Sequence, residues 1–427
     1  MIVLVEASAV LVSTVISGVA LRRIISRESR SIADYGIVLL WLFNGLPILL
    51  DLTVGPPDYG IWPWFSYLEI AVSNEAVRLT YAAYYTVLML VLAAYSHHWH
   101  RRHSVGPELM YVASNSSVFR GPMLLAISIL PFLLVLMSGN VQAFLEYGDL
   151  SSRVSGGIYD LIFASELIGI FAFFCWYFEE RVQNSNLLVL LLYSGAILWV
   201  DGKRYLIATI LLVCWYFYMN SRKVVRISMR KVAVAAAAVA VLFGGFYVWY
   251  SQQYKTVDLT WDGVYLAART DFGRDDVTKF VLYREIVEER PILEYRGASM
   301  LSSVLVFVPR SVWPAKPYPH YRYLTAALYG TSVLSIPAGM TPSILETSVA
   351  NFGVGLGMAA CCVILTAICR LADGTRSVPR RVLYLILLAA LLTQSLDAVL
   401  GVLMVLGLGF APRFAAASMM RSRRYGH

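Results

Sequence analysis

Long apolar runs, broken by short polar stretches, dominate the chain. They recur near 2–20, 34–52, 78–95, 121–138, 158–178, 187–201, 205–220, 232–250, 346–369, 382–395 and 397–412. Most approach the roughly 20 residues that carry a helix across a bilayer, so the pattern predicts an all-α polytopic membrane protein with about 11 transmembrane helices. One interval breaks the rhythm: 251–345 is long and mostly polar.

That interval has helical punctuation of its own. Asp275 or Asp276 is suited to cap a helix whose apolar face is Val277, Phe280, Val281 and Val287, ending before Pro291. A second helix is predicted over 298–308, stopped by Pro309, and a third over 320–329, ending at Gly330. Thr341 followed by Pro342 reads as an N-cap with proline at the first helical position, opening a helix that continues into the span at 346–369. These are amphipathic helices lying on or between the spans. With no repeat or linker in view, residues 1–427 read as a single integral membrane domain, with 251–345 as a periplasmic loop inserted between late spans.

Charge orients the spans. Arg22, Arg23, Arg27 and Arg30 follow the first run, Arg101, Arg102 and Arg120 the third, and Arg181 the fifth. Arg222, Lys223, Arg226, Arg230 and Lys231 lie before the run at 232–250. Arg370, Arg376, Arg380 and Arg381, then Arg413, Arg421, Arg423 and Arg424, mark the last inner segments. By the positive-inside rule these loops are cytoplasmic, and an odd number of spans leaves the N-terminus outside. The segment 251–345 carries ten Lys or Arg, but long translocated segments largely escape that rule. The run at 2–20 has no basic residue ahead of it and so reads as a first span rather than a signal peptide.

Composition agrees: 58% of residues are hydrophobic and the mean hydropathy is +0.64, far above a soluble domain of this length. The net charge of +8 sits in short membrane loops, which removes nucleic acid as the partner it would suggest in a soluble protein. Cys175, Cys214, Cys361, Cys362 and Cys369 all fall within apolar runs, where packing is their expected task.

Candidate chemistry gathers on the outer side. His97, His98, His100 and His103 lie in an Arg-rich inner loop at a spacing that is no zinc frame, which leaves His320 as the histidine near the polar interval. Residues 201–204 (Asp-Gly-Lys-Arg) make a charged turn between two apolar spans, and Arg269, Arg274, Arg284, Arg296 and Arg310 recur along 251–345. The planar arginine fork suits phosphate oxygens, although several of these will pair with Asp271, Asp275, Asp276, Glu285, Glu288, Glu289 or Glu294. In 309–317, PRSVWPAKP, three prolines stiffen the backbone and set Arg310 and Lys316 beside Trp313, with Tyr321 close by in sequence. Glu346 is the last carboxylate before a long uncharged run. It has no basic residue at i±3 or i±4, and partial burial would raise its pKa toward that of a general base. Asn351 lies about one turn further on, and Gly353, Gly355 and Gly357 suit close helix packing.

At these residues the chain resembles the O-antigen polymerases of the oligosaccharide repeat-unit (Wzy-like) type. The likeness rests on PRxxWPxKP at 309–317, TPSxxExxxxNFGxxxG at 341–357, YRGxSM at 295–300 and the Gly-Lys-Arg turn at 202–204. The resemblance implies a GT-C type glycosyltransferase of the bacterial inner membrane, with its active site facing the periplasm. Its substrate would be oligosaccharide repeat units on undecaprenyl pyrophosphate. An acceptor hydroxyl attacks the anomeric carbon, and lipid pyrophosphate leaves. The resemblance would give proton removal to Glu346, with His320 in reserve. Charge stabilisation would fall to Arg310, Arg204 and Arg269, with Lys316, Arg284, Trp313, Tyr321 and Asn351 as further substrate contacts. Pyrophosphate leaves readily, so no cofactor and no metal is expected, and the chain offers no DxD-type site. Partners would be the lipid-linked oligosaccharides, membrane lipid, a chain-length regulator and a flippase.

Three other readings compete. An O-antigen ligase would share fold and donor. A flippase or other transporter predicts ionisable groups deep in several spans and internal pseudo-symmetry, whereas Glu166 and Asp34 are among the few candidates here. A transferase using polyprenyl-monophosphate sugars predicts an acidic pair in the first outer loop, where Asp51 and Asp58 form no doublet.

Overall fold

The structure is a computed structural model. It describes residues 1–26, 28–29, 31–61, 65–103, 121–145, 158–180, 187–201, 205–220, 260–305, 308, 310–336, 339–375, 377–394 and 396–399, with single positions 245, 403 and 407. Every regular element among the described residues is helical. In chain order they are α1 (Ile2–Ile25), α2 (Ala33–Leu40), a π-helical turn (Trp41–Gly45), α3 (Leu46–Thr53), α4 (Ser66–Ser73) and α5 (Glu75–Arg102). Then come α6 (Gly121–Met137), α7 (Gln142–Leu145), α8 (Ile158–Glu180), α9 (Leu187–Asp201) and α10 (Tyr205–Asn220). The remainder are α11 (Trp261–Phe272), α12 (Asp275–Ile286), α13 (Ala298–Val304), α14 (His320–Tyr329), α15 (Ile344–Phe352), α16 (Val354–Asp373) and α17 (Val378–Thr393). Short 3-10 turns lie at Tyr59–Ile61 and Leu396–Val399.

Among the described residues four helices are long and apolar enough to cross a membrane: Ile2–Ile25, Ala33–Thr53, Glu75–Arg102 and Val354–Asp373. The described residues are thus all-helical and compatible with a helical membrane protein. The sequence pattern predicts eleven spans. Four further apolar stretches among the described residues, Pro122–Met137, Ser165–Tyr177, Leu188–Val200 and Ala208–Phe217, lie within α6, α8, α9 and α10. The run at 232–250 and nearly all of 397–412 lie outside the described residues.

The chain forms two compact units. The first takes Met1–Gly106, Tyr218–Arg370 and Leu391–Asp397. Its frame is α1, α2–α3 and α5, and buried polar contacts set their directions. Near the start of both α1 and α5, Arg78 donates to Glu6 through Nε (2.8 Å) and Nη2 (2.5 Å). Near their other ends Arg23 Nη1 donates to Ser96 Oγ (3.3 Å), so the two helices run parallel. The same end holds buried Asp34, which accepts from Ser29 Oγ (2.7 Å) and Ser96 Oγ (2.6 Å) with His100 Nε2 at 3.5 Å. Tyr81 Oη donates to Asn44 Oδ1 (3.1 Å), which makes α2–α3 antiparallel to α5. His97, His98 and His100 therefore belong to the end of α5, with His103 as its C-cap, and not to a loop as the sequence suggested. The apolar run at 78–95 simply continues through a polar helical end. The second unit takes Pro107–Phe217, Leu371–Ala390 and Ala398–His427. There Tyr193 stacks on Phe173 (centroids 3.7 Å apart) and donates to Ser128 O (3.1 Å), joining α6, α8 and α9. Buried Asp373 accepts from Arg381 Nη2 at 3.2 Å.

Candidate functional site

The first unit's polar chemistry converges on α12. Residues 275–282 are all buried, charged and apolar alike, so this short helix is enclosed by its neighbours α4, α5 and α15. The sequence points to Asp275 or Asp276 as the N-cap. Arg274 holds that position without a side-chain bond, and both aspartates lie in the first turn, where the helix dipole favours negative charge. They face inward onto Arg269 of α11 and onto Lys279, one turn along. Arg269 Nη1 donates to Asp275 Oδ1 (3.0 Å). Its Nη2 lies against Asp51 Oδ1 (2.9 Å), Asp275 Oδ2 (3.2 Å) and Asp276 Oδ1 (3.3 Å). Lys279 Nζ donates to Asp275 Oδ2 (2.7 Å) and Asp51 Oδ2 (3.4 Å), stands 3.9 Å from Asp276, and lies 5.4 Å from the centre of the Tyr81 ring. The Tyr59 hydroxyl meets Asp276 Oδ2. The backbone N–H of Arg274 donates to Phe43 O (3.0 Å), docking this segment on the π-helical turn. Such turns recur where a helix must present a group out of register.

Burial pushes the Asp276 carboxyl up to about 7, with Arg269 and Lys279 opposing the rise. Asp275, best supplied with cations, is held well below the usual carboxylate range against the same burial. Arg269 is therefore not available to a pyrophosphate in this arrangement: it is 2% exposed and its terminal nitrogens face three carboxylates.

On the other side of α12, Thr278 Oγ1 donates to Glu346 Oε2 (3.0 Å). Glu346 is fully buried and forms a capping box with Ser343, whose Oγ donates to Oε2 (2.6 Å) and whose backbone N–H donates to Oε1. Ser343, not Thr341, is the N-cap, so the helix starts two residues later than the Thr-Pro pair indicates. It also stops at Gly353 before α16 begins, instead of running unbroken into the span. Burial raises the Glu346 carboxyl, and the bonds from Ser343 and Thr278 oppose the rise. Both its oxygens are engaged and neither is open to solvent.

His320 opens α14 and is 1% exposed. Its Nδ1 lies 3.2 Å from Ser299 Oγ, and burial pushes the imidazole down to about 3, so it stays neutral. Asn351 Nδ2 donates to Thr347 O (2.7 Å) and Ser299 Oγ (2.7 Å), and its Oδ1 accepts from Met300 N (3.3 Å). His320, Ser299 and Asn351 thus tie α14 and α13 to α15.

The remaining cations lie in the proline-bounded stretch. Arg310 is exposed, and its guanidinium carbon lies 3.7 Å from the centre of the Tyr318 ring. Its Nη1 donates to Lys316 O (2.6 Å) and its Nη2 to Pro317 O (3.0 Å). Arg322 lies 5.7 Å from the same ring and donates to Val333 O (3.4 Å). Lys316 Nζ donates to Val308 O (3.1 Å), and Lys316 N to Trp313 O (3.0 Å). Among the described residues neither Arg310 nor Arg322 has a carboxylate partner. Trp313 and Tyr321 are half-buried in this stretch.

The structure thus joins Arg310, Lys316 and Tyr318, and separately His320 with Asn351. Arg284 pairs with Glu288, as the sequence allowed, and Arg296 with Glu285 (2.6 and 2.5 Å). Arg204 lies outside the described residues, as does Pro309. Sequence reasoning missed Asp51 as a partner of Arg269, Lys279 as a partner of Asp275 and Asp51, and Tyr59 as a partner of Asp276. The available signal was Lys279 at i+3 and i+4 from two aspartates. Among the described residues no three His, Cys, Asp or Glu side chains group as a metal site. No family model, curated protein or solved structure matches the chain.

Proposed function

We propose that the chain is a membrane glycosyltransferase that polymerises oligosaccharide repeat units carried on undecaprenyl pyrophosphate, at the periplasmic face of a bacterial inner membrane. The observation that carries this reading is the pair Arg310 and Arg322 beside the ring of Tyr318, neither with a carboxylate partner among the described residues. Each guanidinium uses only part of its five N–H groups on backbone carbonyls, and those bonds hold it in place. Fixed cations with N–H groups to spare suit a diphosphate, and a half-buried aromatic rim suits a sugar. In the reaction an acceptor hydroxyl bonds to the anomeric carbon as the bond to the diphosphate oxygen breaks. The diphosphate takes the electron pair, the hydroxyl gives its proton to a base, and preplaced cations stabilise the charge that develops on the leaving group.

The test is the size distribution of surface lipopolysaccharide in a gene-deletion strain complemented with wild type, Arg310→Ala or Arg322→Ala. Loss of the ladder with core plus a single repeat retained, restored by wild type and by neither variant, supports the reading. Complete loss of repeats from the core points instead to a ligase or a flippase. An unchanged ladder in the deletion strain removes the proposal.

A further inference from the structure

The Asp51–Arg269–Asp275–Asp276–Lys279 cluster plays no part in the reaction above, and its charges do not balance. Three carboxylates face two cations in a volume where the side chains of Asp275 and Asp276 are 0% and 4% exposed and those of Arg269 and Lys279 2% each. An uncompensated charge in such surroundings is costly, and the usual relief is a proton. The donors show where the shortage falls. Arg269 Nη2 has two hydrogens and three carboxylate oxygens within 3.3 Å. Asp275 has a second guanidinium bond and the shortest contact with Lys279, and Asp51, with its side chain 12% exposed, can draw on solvent. Asp276 has the longest guanidinium contact, the most distant ammonium, and a tyrosine hydroxyl that can accept as well as donate.

We infer that this cluster is a binding site for one exchangeable proton, held on Asp276 and donated to the Tyr59 hydroxyl. The groups facing it are Asp51 from α3, Tyr59 from the 3-10 turn, Tyr81 from α5, Arg269 and Tyr265 from α11, and Asp275 and Lys279 from α12, while Arg78 of α5 acts on Asp51 from its ion pair with Glu6. Glu346 meets α12 through Thr278, and Glu69 of α4 is exposed and turned away. Loss of the proton leaves the cluster one negative charge in excess, beside the Arg274–Phe43 bond that docks α12 on the π-helical turn. The direction of the Asp276 shift, up to about 7 through burial, agrees with a proton that exchanges near neutrality. This site does not depend on the transferase reading.

Infrared spectra of the full-length protein in detergent micelles, recorded from acid to alkaline pH in light and heavy water, would test it. A deuteration-sensitive carboxylic-acid band is expected to disappear as pH rises through the neutral range and to be missing in Asp276→Asn. Lys279→Met, which removes a cation, should move the midpoint up by about one unit or more. Tyr59→Phe removes a single oxygen and keeps the fold, and should shift the band's frequency even if Asp276→Asn does not fold. Absence of a titrating band in wild type, a band that persists in Asp276→Asn, or one unmoved by Tyr59→Phe would overturn the assignment.

Discussion

Glu346 faces two incompatible demands. A general base must reach a substrate proton, whereas the third residue of a capping box must turn back onto its own helix start. The structure gives it the second task. Its oxygens accept from the Ser343 N–H, the Ser343 hydroxyl and Thr278, and it is 0% exposed. Glutamine serves that position nearly as well as glutamate, so Glu346→Gln is expected to leave the lipopolysaccharide ladder and the unfolding midpoint close to wild type. Ser343→Ala, by contrast, should cost about 1 kcal/mol through loss of the cap. Thermal unfolding in detergent beside the ladder gel separates the roles. A ladder lost in Glu346→Gln at unchanged midpoint would restore the base assignment.

At the scale of elements, the break between α15 and α16 is set by two glycines that the sequence pattern marks only as small. Gly353 has φ 81° and ψ 173°, a region essentially closed to residues with a Cβ. Gly357 has Ser348 O at 2.5 Å and Val349 Cα at 2.6 Å from where a Cβ would sit, and backbone there cannot step aside. Gly353→Ala should lose about 1–3 kcal/mol, whereas Gly355→Ala, with open space around it, should be nearly silent. Unfolding midpoints of the two variants check this, and equal effects would contradict it. Elements whose signals are local were legible: α14 spans 320–329 and ends at Gly330 as its pattern indicates, and α12 stops before Pro291. The capping residue was misread because Thr341-Pro342 and Ser343 offer the same chemistry two residues apart. The π-helical turn at Trp41–Gly45 leaves no periodic trace, since one extra residue per turn is hidden in a uniformly apolar run.

For the molecule as a whole, the candidate cations at 310–322 were legible because prolines and aromatics cluster along a short stretch. The proton site was not, because Asp51 and Arg269 meet across 218 positions. Its pH signature is a property of the entire fold, since another buried group opposes it. Asp276 is raised to about 7 in the folded chain, against roughly 3.9 unfolded, so its contribution to stability is full in acid and is lost as pH rises through that interval. Glu346, raised by burial, adds to the same side. His320 is lowered to about 3, against roughly 6.5 unfolded, so the neutral imidazole's contribution is full above that value and is lost as pH falls. Asp275, held low, acts only in stronger acid. Between about pH 4 and 6.5 the slopes from Asp276 and His320 therefore have opposite signs, and the wild-type unfolding midpoint should vary little with pH. Asp276→Asn should uncover a midpoint that climbs with pH across this window, and His320→Asn one that declines. The level of each curve reports packing lost at the mutated site, whereas the slope reports the titrating group that remains. Parallel slopes in all three proteins would show that neither group titrates as its burial implies.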